Sequence, residues 1–180
     1  ALMCAGIVAF CIQSAFSADP GSDSATCTIN VTVDSIIEWE GTNFAAINLT
    51  TINNQADAPE GSSSYTLWTN CNVELSADND NDSRLTDGTD TLVTKYKIST
   101  DGDGDPASGA SVAAITASGS DSWTIYNNFL TTPLAITHYN TDGNVEVTLY
   151  VQATNRTDDV SDSGNYTATQ TITASWVSDD

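Results

Sequence analysis

Basic residues are nearly missing from this chain, which has four Lys and Arg against 24 Asp and Glu in 180 residues and a net charge of −20. That balance excludes the basic patches that neutralise nucleic-acid phosphates or anionic lipid headgroups. Histidine occurs once, at His138. A zinc site of the usual His/Cys type therefore has no ligand set, and a serine triad would have to use that one imidazole without a nucleophile-elbow motif. The expectation is that His138 closes a strand and that the chain is not an enzyme. Carboxylate pairs are plentiful, but they stand in loops, away from the aromatics that would raise the pKa of one partner and shape a sugar subsite. Long helical periodicity is lacking, and no apolar run reaches the ~20 residues that a bilayer-spanning helix needs. Such acidity suits a salt- or cation-rich exterior that screens self-repulsion, with calcium as the obvious counterion.

The longest apolar run is Ala1–Phe16, uncharged throughout. Its composition is that of a secretory h-region, but no basic stretch precedes it. Either it is an export signal, or it belongs to the working protein and must be buried against something. Residues 1–18 are therefore set apart as an apolar N-terminal assembly segment, 19–25 as a polar linker, and 26–180 as one domain of ordinary size.

That domain is rich in Thr, Ser, Asn and Asp, an all-β composition. Alternation places the faces. Cys27, Ile29, Val31 and Val33 oppose Thr28, Asn30 and Thr32, and the same parity returns in Tyr65, Leu67, Thr69, Cys71, Val73 and Leu75, with Trp68 expected outside. Leu92, Thr94, Tyr96 and Ile98 form one face, as do Val145, Val147, Leu149, Val151 and Ala153. A last strand is read over Tyr166–Val177, and weaker ones over 44–52, 111–117, 123–126 and 134–138. Eight to ten strands with one polar face each predict an antiparallel, immunoglobulin-like sandwich.

Four cysteines allow three disulfide connectivities. Parity puts Cys27 and Cys71 on inward faces, so a bridge between them is expected, stabilising by about 4 kcal/mol in the chain-entropy model. Cys4 and Cys11 read as small buried apolar side chains.

Asp78, Asp80 and Asp82 alternate in one loop, and Asp101, Asp103 and Asp105 in another. Alternating carboxylates on tight loops can gather hard oxygens for calcium, although the EF-hand pattern fails at Ser83; solvated Asp-rich loops are the other reading. Asn30, Asn48, Asn81, Asn155 and Asn165 head Asn-x-Ser/Thr sequons and are candidate glycosylation acceptors, although so Asn- and Thr-rich a chain also makes sequons by chance.

The stretch TCTINVTVDSIIEWEG, the FAAINLTTI segment, Cys27 with Cys71 in YTLWTNCNVELSADND, SRLTDGTDTLVTKYKIS and the closing SGNYTATQTITASW together resemble chaperone-usher fimbrial subunits and spore-coat-U-like domains, over residues 26 to 177. The resemblance implies an incomplete sandwich whose gap is filled by an N-terminal extension of the next subunit. It also implies a periplasmic chaperone and an usher as partners, and a cell-surface appendage as the destination.

The polar stretch 19–25 could not fill such a gap, so the apolar head is the expected donor. As a strand it places Leu2, Val8, Phe10, Ile12 and Phe16 on one side. Its Ala content also suits a short helix packed in a filament core, although Ala5 stands where bacterial type IV pilins carry Glu. The sequence thus points to a structural subunit of an extracellular pilus that polymerises through its N-terminal segment. The contrasting expectation is a secreted monomeric calcium-dependent adhesion module whose residues 1–18 are a signal peptide.

Overall fold

The computed structural model describes residues 24–100, 123–138 and 144–179. The chain divides into two units, Ala1–Val33 and Asp34–Asp180. Of the first, residues 24–33 are described: they form neither helix nor strand and are exposed.

The second unit is an all-β sandwich. Its strands are β1 (Ile37–Trp39), β2 (Glu60–Thr69), β3 (Asn72–Ala77), β4 (Val93–Thr100), β5 (Thr124–Ile125), β6 (Leu134–Ile136), β7 (Asn144–Thr154) and β8 (Ile172–Ser178). One sheet runs β1-β2-β7-β4-β5 and the other β6-β3-β8, and every described pairing is antiparallel.

β7 forms the centre of the larger sheet because its Val145, Val147, Leu149, Val151 and Ala153 all bury on one side. Register sets these against inward residues of both neighbours, Leu67 opposite Val145, Tyr65 opposite Val147, Ile98 opposite Leu149 and Tyr96 opposite Val151. The run from Tyr65 to Leu75 is two strands, not one. It crosses from the larger sheet to the smaller at Asn70 and Cys71, and the inward parity survives the crossing, with Leu67, Thr69, Cys71, Val73 and Leu75 all buried. Trp68, on the opposite parity, is exposed.

Phe129 and Leu130 close the interior. They follow a short 3-10 turn, Tyr126–Asn128, that carries the chain across the edge of the sandwich and turns both side chains fully inward. Phe129 meets the Tyr96 ring at 5.4 Å between centroids. The Tyr96 hydroxyl donates to the Ser83 carbonyl at 2.7 Å, giving a buried polar tip its partner. Each such large apolar side chain contributes about 1.5–3 kcal/mol on burial.

Three sequence expectations fail here. Cys27–Val33 forms no strand ladder. Residues 44–52 are extended but make no ladder, and the last strand begins its ladder only at Ile172, six residues later than read. Alternation reports that a segment has one apolar side; it does not say that a neighbouring backbone is present to bond with. The strand read over 111–117 lies outside the described residues.

Candidate functional site: an open groove beside β8

β8 pairs with β3 on one edge, and its other edge carries no described partner. Alongside residues 165–172, the stretch that leads into β8, runs a groove of about 600 Å³, whose other wall is residues 42–49 and whose floor is Tyr65, Tyr96, Leu149 and Val151 of the larger sheet. It continues between residues 47–54 and 160–166 as a second stretch of about 500 Å³, over Leu92 and Ala153.

The first wall is held by side chains. Phe44 packs at 5.7 Å from the Trp39 ring and 5.3 Å from Tyr65, and Trp39 stacks on Tyr65 at 5.8 Å. Ile47 and Leu49 lie directly over Gly61 of β2, where an added Cβ would come within 2.5 Å of Ile47 Cγ2 and 3.0 Å of Leu49 Cδ2. Glycine at 61 is what lets this wall approach the sheet. The backbone of residues 42–50 makes no hydrogen bond among the described residues.

The second wall is anchored on its far side. Thr167 exchanges backbone bonds with Thr86 at 2.9 and 3.1 Å, and Thr169 N donates to Asp82 O at 2.7 Å. Gln170 Nε2 donates to Asp78 O at 2.7 Å. The alternate residues Ala168 and Gln170 have no backbone partner among the described residues, as expected of an edge with one side satisfied and one open. Gln170 Oε1 is buried in this wall without a hydrogen-bond partner. A buried acceptor left bare is costly.

At the upper end the wall is fixed by an aspartate-capped loop. Asp87 Oδ1 accepts from Asp90 N at 2.7 Å and Thr89 N at 2.8 Å, and these bonds hold its carboxyl below the usual carboxylate range. Asp90 is lowered too, chiefly by Asp162 N at 2.9 Å. The Tyr166 hydroxyl, which donates to Asp162 O at 2.8 Å, is pushed up by desolvation and then by the Asp90 and Asp87 charges.

The first stretch of the groove is uncharged. In a chain with 28 charged side chains, none of the 22 residues lining its first stretch is Asp, Glu, Lys or Arg. What fits it is an uncharged extended backbone with apolar side chains on one face, not an ionic ligand.

The sequence-predicted site residues fare differently. Cys27 and Cys71 are free thiols, and the expected bridge is not formed: Cys27 lies on an exposed stretch, whereas Cys71 is buried with Thr69 Oγ1 at 3.4 Å. The inward face inferred for Cys27 depended on a ladder that its segment does not make. Asp78, Asp80 and Asp82 are used locally, with Asp78 Oδ1 accepting from Asp80 N and Asp80 Oδ1 from Asp82 N. No group of three acidic, His or Cys side chains close enough to hold a metal occurs among the described residues. Asp101, Asp103 and Asp105 lie outside them, as do Leu2, Val8, Phe10, Ile12, Phe16, Cys4 and Cys11.

Asn30, Asn48, Asn81 and Asn165 are exposed. Asn155 corrects the sequon reading: it is 7% exposed, its Nδ2 donates to Asn54 O and its Oδ1 accepts from Ser161 N, so its amide is already used. His138 follows β6, and its backbone N–H donates to Asn72 Oδ1 at 2.9 Å.

Sequence reasoning did not single out the groove walls. Both walls fall in charge-free runs, 41–56 and 163–178, but the chain has others as long, such as 122–141, so charge alone did not mark them.

No known protein family and no curated protein matches the chain. Among solved structures, it is similar to a chain from a chaperone–tip adhesin complex of CFA/I fimbriae, with 14% identity and a TM-score of 0.40. The match covers 79% of this chain and 42% of the other, so the chain spans less than half the length of that neighbour.

Proposed function

We propose that this chain is a structural, non-enzymatic subunit of an extracellular fimbria-like filament, and that the groove beside β8 of one copy is filled by an uncharged N-terminal segment of another. The supporting observation is the groove itself: an apolar floor between two walls, with the backbone of Ala168 and Gln170 unpaired among the described residues. An inserted strand would supply backbone partners to that edge and apolar cover to Leu149 and Val151 at once. The residues resembling fimbrial subunits support the same reading. Until it is filled, such an edge invites indiscriminate pairing, so a chaperone that occupies it and an usher that exchanges it are the expected partners before export.

The test is assembly of the purified full chain, followed by light scattering and electron microscopy. Linear polymers are expected. Ala168→Trp, which projects bulk from an exposed wall position into the groove, should leave the chain folded and monomeric. Wild-type chain that stays monomeric at all concentrations would refute the filament reading.

A further inference from the structure

The outer face of the larger sheet, away from the groove floor, carries the chain's only two lysines, Lys95 and Lys97, on the outward side of β4. Register sets out the rows across this face. Glu60, Gln152 and Lys95 form one row from β2 through β7 to β4, and Ser62, Tyr150 and Lys97 form the next. Gln152 Nε2 donates to Glu60 Oε1 at 2.7 Å. The residues opposite Lys95 are Gln152 and Ile125, so in a chain with 24 acidic residues this ammonium has no carboxylate across from it.

We infer that this face binds the same face of a second copy, back to back about a two-fold axis running along β7. Such an axis exchanges β4 with β2 and keeps the rows. Lys95 of each copy then lies over Glu60 of the other, and the two Tyr150 rings meet at the axis. Sheets pack face to face at ~10 Å, a gap that a lysine and a glutamate reaching toward each other can span.

The rest of the face suits close approach. Ser64 Oγ and Thr148 Oγ1 bond at 2.7 Å, and Ser99 Oγ donates to the Tyr150 hydroxyl at 3.4 Å, so few polar groups would lose partners on leaving water. Lys97 Nζ lies 4.4 Å from the centre of the Trp123 ring and 5.2 Å from that of Tyr150, which holds its side chain down along the sheet. Glu38, Glu60 and Glu146 stand against the two lysines, which leaves the strands of this face almost neutral in a chain of net charge −20. At physiological salt the Debye length of ~8 Å confines the repulsion between the two bodies. With ~3.3 Å per residue and ~4.8 Å between strands, β2, β7 and β4 present about 30 by 14 Å, a size for a weak dimer. The contact leaves the groove free, so it stands apart from the filament reading.

The test uses the full chain carrying Ala168→Trp, which blocks the groove, in sedimentation equilibrium at about 0.15 M salt. Monomeric when dilute, it should shift to dimer as its concentration rises through about 10–100 µM. Adding Lys95→Glu or Glu60→Lys should each weaken the dimer by about ten-fold or more and keep the thermal midpoint within a few degrees. Mixing the two variants one to one should restore it, because each mixed contact again sets a cation on an anion. A chain monomeric up to millimolar concentration, a dimer indifferent to both substitutions, or variants that do not recover on mixing would each overturn the assignment. Lys95→Glu in the chain with an open groove should leave linear polymers intact, so that loss of the dimer and loss of the filament are read separately.

Discussion

The two edges of the smaller sheet are managed differently. On one side β6 covers β3, with Val73 opposite Ile136 and Leu75 opposite Leu134, and the Phe129–Leu130 turn seals the interior next to it. On the other side β8 ends the sheet, and the wall of residues 42–49 leans in through Phe44, Ile47 and Leu49 without bonding to it. The closed side has its apolar cover in place, although the outer edge of β6 has no strand partner among the described residues. The open side has the apolar floor of a sandwich, and its edge has no strand partner among the described residues. Stability and assembly are therefore expected to separate, with the closed side setting the first and the open side the second.

The largest effect should come from emptying the closed side. Phe129→Ala removes a fully buried ring that packs on Tyr96, and it should cost about 3–5 kcal/mol by urea unfolding, a large share of what a domain has. Leu49→Ala, on the open wall, should cost about 1 kcal/mol or less, because its side chain is only partly buried, yet it should slow polymer growth. Equal destabilisation by the two would show that the groove wall is already core, and the contrast drawn here would fail.

How much of this was legible in the sequence follows the same division. β4 and β7 were readable to within a residue at each end, because strands with one face on the core and neighbours on both edges repeat the alternation without interruption. The stretches at 27–33, 44–52 and 166–171 alternate almost as well and form no regular ladder. Their pattern records an apolar side, and the partner that would make them strands is not encoded in their own residues. The crossing at Asn70–Cys71 was invisible for a related reason. Inward parity is shared by both sheets of a sandwich, so a chain that changes sheets without a bulge leaves no mark in its periodicity. The cysteine pairing inferred from that parity rested on a ladder that residues 27–33 do not make: Cys71 is on a core face and Cys27 is exposed.

A second, smaller effect sharpens the comparison from the floor that both sides share. Burial pushes the Tyr96 hydroxyl up to about 12 from an ordinary 10.0. Because the folded value lies above the unfolded one, the contribution is fully present below pH 10 and is lost as pH rises toward 12. The loss should reach about 2–3 kcal/mol. Tyr96→Phe should flatten that alkaline decline in urea midpoints. It should also lower stability at neutral pH by about 1–2 kcal/mol, since the Ser83 carbonyl then lies buried without its donor.

The smallest effect belongs to the rim of the open side. Asp87 is held below its usual range by the amides of Asp90 and Thr89, so its stabilisation is present above the unfolded value of 3.8 and is lost as pH falls through its lower folded value. Its carboxylate is solvent-facing, and salt and water screen it, so the effect on global unfolding should be slight. What Asp87 governs is local. Gly164 sits so close to it that an added Cβ would lie 2.9 Å from Asp87 Oδ2, and the loop it caps carries the Thr86 and Asp90 contacts to Thr167, Asp162 and Tyr166. Asp87→Asn should therefore leave urea midpoints nearly unchanged at neutral pH, but speed amide hydrogen exchange at Thr167 and Thr169 on the groove wall. Exchange accelerated equally across β7 would mean that the rim and the closed core unfold together, and that the open side has no mobility of its own to offer an incoming strand.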